Sequence, residues 1–307
     1  MRSLHCWGFA WATAALLLGN ASLSWSATPK TPKTTPSAKQ PTRQSDGQAE
    51  ARLIDIYRLI GGGRTRDALR KAEQLVADYP HFQLAQLVLG DLLSTRSRPI
   101  QNVGDVPVEL AQAGSQNLQA LRAESQLRIA AIKEPPPIDS IPSQFVALSR
   151  RNKHAIAVDT AKARLYLFEN TTTGTRLLAD YYISVGKAGV GKNVEGDQRT
   201  PLGVYFITSN LDPKSLKDLY GSGALPVNYP NVLDLRRGKT GSGIWLHGTP
   251  SNTFSRPPKA SDGCVVLANM DLEALSRNLQ IGLTPVIISN SIEWLSLDDW
   301  QNERSKL

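Results

Sequence analysis

The sequence predicts a multidomain chain in which an α-helical region precedes a mainly-β domain with a sandwich-like or barrel-like arrangement of strands. Two patterns carry this prediction. Apolar residues recur at helical spacing up to Lys133, and short period-two apolar runs separated by Gly, Pro and Asn dominate after Pro137. The chain has 307 residues, of which 41% are hydrophobic, so it can bury the cores of two domains and is not disordered as a whole.

Residues 1–26 have the order of regions found in a secretory signal peptide. Arg2 is followed by the apolar run from Cys6 to Leu18 and then by small polar residues before a cleavage position. An uncleaved membrane anchor is the alternative, because the segment from Ser3 to Pro29 is uncharged and nearly long enough to span a bilayer. We expect cleavage, since the apolar run alone is too short to span. Either outcome predicts export to the periplasm or cell envelope, and cleavage leaves no stable membrane span in the mature protein.

Residues 27–49 are rich in Pro, Thr, Lys and Ser, and this composition predicts a disordered linker. Residues 50–134 predict helices, with a break at Gly61–Gly63 and a stop at Tyr79-Pro80 that together resemble a tetratricopeptide-like helical hairpin. Fewer units are present than the three or so that such repeats need to be stable alone, so we expect the helices to pack on another part of the chain. Scaffolding and binding of a protein partner both stay open as roles for this region.

The mainly-β domain is predicted over residues 145–290, after a boundary at Pro135–Pro137. Its only predicted helix covers residues 271–279. Residues 291–307 form a C-terminal tail, for which a capping helix and the start of an extension are both open. The predicted strands cover residues 155–158, 164–168, 181–185, 203–208, 244–246, 265–267 and 285–288.

Charge and cysteine content exclude several classes of function. The formal net charge is +8, part of it in the linker, and the remainder is too dilute for a nucleic-acid partner. Removal of the signal peptide leaves Cys264 as the one cysteine, so the mature chain cannot form an internal disulfide, and a lone exported thiol is either buried or used. His81, His154 and His247 do not have the spacing of a zinc motif with this cysteine, and we predict no metal and no cofactor.

Two motifs imitate other enzyme classes. Residues 186–193 nearly form a phosphate-binding loop, but Asn193 stands where Ser or Thr would hold magnesium, and turn-forming residues follow instead of a helix. Ser184 and Lys187, with Lys239-Thr240-Gly241, imitate two motifs of penicillin-binding serine enzymes. In such enzymes the serine and lysine lie on a helix, and the glycines that follow Ser184 would destabilise a helix here. The serine enzyme is therefore a less favoured alternative.

The strongest constellation joins Leu246-His247-Gly248 to Ser261-Asp262-Gly263-Cys264, with a loop-like segment between them. A nucleophilic cysteine needs a base or an imidazolium within hydrogen-bond reach, and two adjacent strand ends can supply that geometry. The backbone N–H groups of Gly263 and Cys264 are candidate donors to a developing oxyanion. A buried cysteine with an unrelated histidine at a strand end is the alternative that these residues leave open.

This pattern resembles the signature of the L,D-transpeptidase catalytic domain, the YkuD-type fold, in which a histidine and a spacer precede Ser/Thr-His-Gly-Cys. The segment from Glu195 to Tyr205 resembles the glycine-rich turn and strand upstream in that family, and the resemblance covers residues 153–289. Two positions depart from the pattern: Asp262 stands where the motif has its own histidine, and Val266 replaces a polar residue.

The resemblance implies an exported cysteine acyltransferase that acts on peptidoglycan stem peptides. Cys264 would attack the diaminopimelate carbonyl and release D-alanine, His247 would activate the thiol, and the Gly248 carbonyl would orient the imidazole ring. The acyl group would pass to a second stem peptide as a 3-3 cross-link, to a lipoprotein lysine, or to water. The candidate substrate-contacting residues are Ser261, Asp262, Arg199 and Trp245. A noncatalytic wall-binding or partner-binding protein with a degenerate catalytic domain is the main alternative.

Overall fold

The computed structural model describes residues 48–95, 102–105, 114–146, 148–172 and 174–306, which all belong to one compact unit. The predicted signal peptide at residues 1–26 and the predicted linker up to residue 47 lie outside the described residues. In the described part, no helix combines the length and the hydropathy that a membrane crossing requires.

The described part of the N-terminal region contains four helices: α1 (Gln48–Gly61), α2 (Thr65–Asp78), α3 (Gln83–Ser94) and α4 (Ser115–Lys133). The predicted helical region is therefore confirmed. The glycine run ends α1, and Pro80 follows the end of α2. The small side chains of Ala68 and Ala72 are buried against Leu53 and Ile56 of α1, which allows α1 and α2 to pack closely.

The C-terminal part is rich in β-structure, as predicted. Its central sheet has five strands in the order β4-β3-β2-β11-β6, with β2 and β11 parallel and the other pairs antiparallel. A three-stranded sheet, β10-β8-β7, lies beside it, together with the two-stranded pairs β5-β9 and β1-β12. The strands are β1 (Ile141–Pro142), β2 (His154–Asp159), β3 (Arg164–Thr171), β4 (Gly174–Tyr182), β5 (Val185–Gly186), β6 (Gly203–Phe206), β7 (Ala224–Pro226), β8 (Trp245–His247), β9 (Lys259–Ser261), β10 (Val265–Val266), β11 (Pro285–Ser289) and β12 (Trp294–Leu295).

The described sheets do not close into a barrel. Of the two predicted arrangements, the barrel-like one is therefore not formed. One predicted strand, at residues 181–185, is split between β4 and β5. The split occurs because the backbone N–H and carbonyl of Ser184 bond to Val266, which turns the chain from the central sheet toward the site.

Three further helices complete the domain: α5 (Val232–Arg236), α6 (Asn269–Ser276) and α7 (Leu297–Ser305). The last of them caps one face of the central sheet, because the Trp300 indole is buried there and its Nε1 donates to the Phe145 carbonyl at 2.6 Å. The described part of the C-terminal segment therefore contains strand β12 and this capping helix.

A buried ionic network joins the helices to the central sheet. Arg128 of α4 donates to Glu124 at 2.8 Å and to Glu50 of α1 at 2.6 Å, and Arg164 of β3 donates to Glu50 at 2.8 Å. Burial raises the pKa of Glu50, but the two arginines outweigh it and hold that pKa below its ordinary value. Each charged side chain of the network has a partner of opposite charge, so the loss of one member leaves an uncompensated buried charge.

Candidate active site

Two short parallel strands bring the predicted histidine and cysteine to one place. Leu246 of β8 pairs with Val265 of β10, and Cys264 immediately precedes this pair. Leu246 and Val265 are buried in the apolar core, so the alternation of side chains along a strand places their neighbours His247 and Cys264 together on the opposite face. The strand pairing therefore places on one face two residues that are 17 positions apart in the sequence, with His247 paired to Val266 and Cys264 one position before Val265.

The His247 ring is buried and oriented by its own chain. Its Nδ1 lies 2.7 Å from the Gly248 carbonyl oxygen, so Nδ1–H is the donor and Nε2 is left as the basic nitrogen. The Tyr220 ring meets it edge-on at 5.2 Å. Burial lowers the pKa of His247 to about 4, the Gly248 hydrogen bond opposes this shift, and the charge of Arg256 adds to it. The imidazole is therefore neutral at neutral pH.

The Cys264 thiol is partly buried, and its Sγ lies 3.4 Å from the Gly243 carbonyl oxygen. Burial raises the pKa of Cys264, while the Trp245 backbone and the charge of Arg256 oppose that increase. Among the described residues, the hydrogen bond of the thiol goes to Gly243 and not to the imidazole. The low pKa of His247 thus favours a neutral imidazole, and the raised pKa of Cys264 favours a protonated thiol.

The turn before the cysteine is held from within. The buried Ser261 hydroxyl donates to the Cys264 carbonyl at 2.6 Å and accepts from the Gly263 N–H at 3.1 Å. The Ser261 hydroxyl thus holds the turn, and contact of this residue with a substrate stays a prediction. The Gly263 N–H donates to the Ser261 hydroxyl. Of the two predicted oxyanion donors, the Cys264 N–H is therefore the one that this serine does not occupy.

The backbone conformation at position 263 also requires glycine. Its φ of +127° lies in the region that side chains rarely adopt, and a Cβ added there would lie 2.8 Å from the Arg199 carbonyl oxygen. Arg199 therefore borders the turn through its backbone, while its exposed side chain donates to the Val190 carbonyl at 2.9 Å. This local bond accounts for the side chain without a substrate.

The other two predicted contact residues differ in exposure. Asp262 is exposed and accepts from Lys187 Nζ at 3.0 Å and from Gln198 at 3.3 Å. Trp245 is partly buried, on the same strand as His247, with its ring 4.7 Å from that of Tyr220. Contact of Trp245 with a substrate stays a prediction.

The β-rich part of the chain matches a known protein family. A family model described as the L,D-transpeptidase catalytic domain, YkuD, matches residues 153–288. These residues form a YkuD-type L,D-transpeptidase catalytic domain. The match covers the central sheet, His247 and Cys264, whereas the helical region lies before it.

Several solved structures are similar to the chain. Bd1075 from Bdellovibrio bacteriovorus is 30% identical, with a TM-score of 0.48 over 55% of this chain and 60% of that one. The helical cell shape determining protein Pgp2 from Campylobacter jejuni is 24% identical, with a TM-score of 0.44 over 60% of each chain. L,D-transpeptidase 3 from Mycobacterium tuberculosis is 15% identical, with a TM-score of 0.29 over 45% of this chain and 61% of that one. The chain thus spans about 60% of the first two structures' length. No curated protein matches it.

Thr200 and Lys192 of the L,D-transpeptidase domain support the site. The sequence predicts that Thr200 shapes a turn, whereas it does not indicate this role of Lys192. The buried Thr200 hydroxyl accepts from the Gly186 N–H and donates to the Gly263 carbonyl, both at 2.9 Å, and so ties the glycine-rich turn to the cysteine turn. The buried Lys192 pairs with Asp197 at 2.9 Å and is one of the charges that lower the pKa of the thiol. The resemblance of residues 195–205 to the family was the available signal for this turn.

Asn269 at the start of α6 fixes the backbone after His247. Its side-chain oxygen accepts from the N–H groups of Thr249 and Ser222, at 3.0 and 2.9 Å, and its amide donates to the Thr249 carbonyl at 2.9 Å. A Cβ at Gly248 would collide with this side chain. No sequence motif in the chain indicated this residue.

The rival motifs do not form rival sites. Ser184 is buried between β4 and β5, where its hydroxyl accepts from the Ala260 N–H at 3.2 Å, and Lys187 pairs with Asp262 instead of reaching that hydroxyl. No helix follows residues 186–193, so these residues do not form a phosphate-binding loop. Within the described ranges no cluster of three or more His, Cys, Asp or Glu residues forms a metal site in the L,D-transpeptidase domain or the helices.

Proposed function

We propose that this protein is an exported cysteine L,D-transpeptidase that acts on peptidoglycan stem peptides in the periplasm or cell envelope. The observation that carries the proposal is the placement of Cys264 and His247 on one face of the β8–β10 pair, with Nδ1 of the histidine held by Gly248. This arrangement leaves one basic nitrogen beside one thiol, which is the minimum that thioester chemistry needs.

The first half-reaction forms an acyl-enzyme. Nε2 of His247 accepts the thiol proton as Sγ of Cys264 attacks the diaminopimelate carbonyl, and the Cys264 N–H is placed to donate to the oxyanion. The bond from this carbonyl to the nitrogen of D-alanine then breaks. The imidazolium returns its proton to that nitrogen, so D-alanine leaves as a neutral amine and a thioester remains on the enzyme.

The second half-reaction consumes the thioester. An amine of a second stem peptide or of a lipoprotein lysine, or a water molecule, attacks the same carbonyl while His247 takes its proton. The carbon–sulfur bond breaks, and the proton returns to Sγ. The imidazole is neutral at rest, so Nε2 is available to accept a proton in either step, and its low pKa favours return of that proton to the leaving group.

The direct test incubates the protein with a disaccharide tetrapeptide and measures the release of D-alanine by mass spectrometry. We expect release by the wild type and loss of more than about a thousandfold in Cys264→Ala and His247→Ala. Ser184→Ala is the matched control, because this hydroxyl is the nucleophile of the rival serine enzyme. Loss of activity only in Ser184→Ala would support that rival, and no release by the folded wild type would support a noncatalytic binding protein.

The acceptor is identified in the same reaction by the mass of the second product. A tripeptide indicates water, a peptide dimer indicates a 3-3 cross-link, and a conjugate with an added lysine-terminated peptide indicates lipoprotein attachment.

A further inference from the structure

The loop that joins the two catalytic strands, residues 248–264, packs against the helical region. The ring of Phe254 in this loop stacks on that of Phe82 at 4.2 Å and meets that of Tyr79 edge-on at 5.3 Å. The Phe254 backbone N–H donates to the His81 carbonyl at 3.3 Å. Phe254 thus packs against the core of the helices, although it lies between the two predicted catalytic residues in the sequence.

A buried threonine connects Phe254 to the catalytic histidine. The Thr249 hydroxyl donates to the carbonyls of Thr253 at 2.7 Å and of Phe254 at 3.3 Å. Thr249 directly follows Gly248, whose carbonyl accepts the Nδ1–H of His247 at 2.7 Å. A continuous series of contacts therefore leads from the helices, through Phe254 and Thr249, to the group that orients the imidazole ring.

The helices also hold the chain further along the loop. The Ser255 hydroxyl donates to Glu124 of α4 at 2.8 Å, on the carboxylate that pairs with the buried Arg128. The Arg128 guanidinium lies 3.9 Å from the centre of the Tyr182 ring, and the Tyr182 hydroxyl donates to the Arg256 carbonyl at 3.1 Å. The middle of the loop is therefore fixed by contacts that depend on the helices.

The catalytic domain supplies contacts at the two ends of the same loop. Asn269 accepts from the Thr249 N–H and donates to the Thr249 carbonyl, and the Val185 N–H donates to the Pro258 carbonyl at 2.9 Å. In the described ranges, both aromatic partners of Phe254 belong to the helical region. The position of the loop between its ends thus depends on a part of the chain that precedes the matched domain.

We propose that Phe254 is a positioning residue through which the helical region holds the Gly248 carbonyl, and with it the His247 ring, in the orientation that catalysis needs. The inference rests on the proposed function for the reaction that this orientation serves. The bond to Gly248 keeps the hydrogen on Nδ1 and leaves Nε2 as the base, whereas a released ring can rotate and carry its hydrogen on Nε2. The described contacts of Phe254 are with the helices and Thr249, so its loss lowers the rate of acylation without weakening substrate binding.

The first test observes the ring in the free enzyme, without turnover. Nitrogen-15 NMR of His247 shows which ring nitrogen carries the hydrogen of the neutral imidazole. We expect the Nδ1–H form in the wild type and a several-fold larger population of the Nε2–H form in Phe254→Ala. Phe254→Leu keeps an apolar side chain against Phe82 and Tyr79 and is expected to remain near the wild type. Thermal unfolding establishes that each variant is folded, and an unchanged Nδ1–H form in folded Phe254→Ala overturns the proposal.

Thr249→Val breaks the same connection with a smaller change, because valine keeps the branched shape and lacks the hydroxyl. Thr160→Val is the matched control, since the Thr160 hydroxyl is also buried and donates to two backbone carbonyls, at 3.0 and 3.4 Å, at the end of β11. We expect kcat for D-alanine release to fall about tenfold to a hundredfold in Thr249→Val, with KM changed less than about threefold, because displaced catalytic groups slow the chemical step. Equal losses of kcat in the two variants, or a raised KM with unchanged kcat in Thr249→Val, would contradict positioning.

This design separates the inference from the proposed function. If the wild type releases no D-alanine but the hydrogen of the His247 ring moves to Nε2 in Phe254→Ala, the proposed reaction fails and the positioning role stands. If the wild type releases D-alanine, and Phe254→Ala leaves both the ring and kcat unchanged, the reaction stands and the positioning role fails.

Discussion

The strand pair β8–β10 and the loop that joins it, residues 248–264, are held in different ways. His247 and Cys264 are placed by backbone pairing, and the Leu267 N–H donates to the His247 carbonyl at 2.9 Å. The loop is held by side chains of the helices, and the hydrogen bond from Ser255 to Glu124 joins residues 131 positions apart. The catalytic pair therefore depends on local register, whereas the surroundings of the pair depend on a separate part of the chain.

The buried ionic network gives the largest expected effect and tests whether the two parts are coupled. Arg128→Met leaves the carboxylates of Glu50 and Glu124 without this partner, so we expect a loss of about 3 to 5 kcal/mol in the free energy of unfolding. Urea unfolding followed by circular dichroism measures it. Arg58→Met is the control, because the exposed Arg58 makes only a 3.5 Å surface pair with Asp55, for which we expect less than about 1 kcal/mol. A similar loss in both variants would show that the network does not join the two parts.

Gly263→Ala tests the strand side of the comparison. The new Cβ meets the Arg199 carbonyl and adopts a strained φ, so we expect the acylation rate to fall about a hundredfold or more. Single-turnover release of D-alanine measures this rate. Gly189→Ala is the matched control, since Gly189 also has a positive φ, of +85°, but open space around a Cβ. An acylation rate in Gly263→Ala equal to that of the control would show that the turn tolerates a displaced cysteine.

The pH dependence of the histidine gives a third, smaller effect. Burial lowers the pKa of His247 to about 4, so the imidazole remains a base until the pH falls through that value. We expect the acid limb of kcat/KM to have its midpoint near pH 4 instead of near the ordinary histidine value of about 6.5. Because substrate carboxyl groups also titrate near pH 4, an NMR titration of the His247 ring in the free enzyme provides the independent check. A His247 ring that titrates near pH 6.5 would contradict burial of this side chain as the cause of a low pKa.

Asp262→Asn gives the smallest expected effect. The Asp262 side chain is 76% exposed and pairs with Lys187, and an exposed ion pair of this kind contributes little free energy. We expect kcat/KM to change less than about threefold and the pKa of Cys264 to fall slightly, since Asp262 is one of the groups that raise it. The pH dependence of thiol alkylation measures that shift. A loss above about tenfold would show that this departure from the family motif has a catalytic role.

The sequence predicts the strand side of the site well and the loop side poorly. Cys264 and His247 were identifiable because a lone exported thiol, a strand-end histidine and a glycine turn each leave a local pattern. The helices and most strands follow from their apolar periodicity. Asn269 leaves no such pattern, because its role arises from contacts with Ser222 and Thr249, which lie in other segments of the chain. The occupied Gly263 N–H was missed for a related reason, since the Ser261 bond depends on the turn geometry.

The most direct test of the central claim is the intact mass of the enzyme after rapid acid quench of its reaction with a disaccharide tetrapeptide. We predict that the mass of the substrate minus D-alanine is added to wild type, that peptide mapping places this adduct on Cys264, and that no adduct forms in Cys264→Ala. Release of D-alanine at the wild-type rate by Cys264→Ala, or an adduct on any other residue, would contradict a thioester at this cysteine.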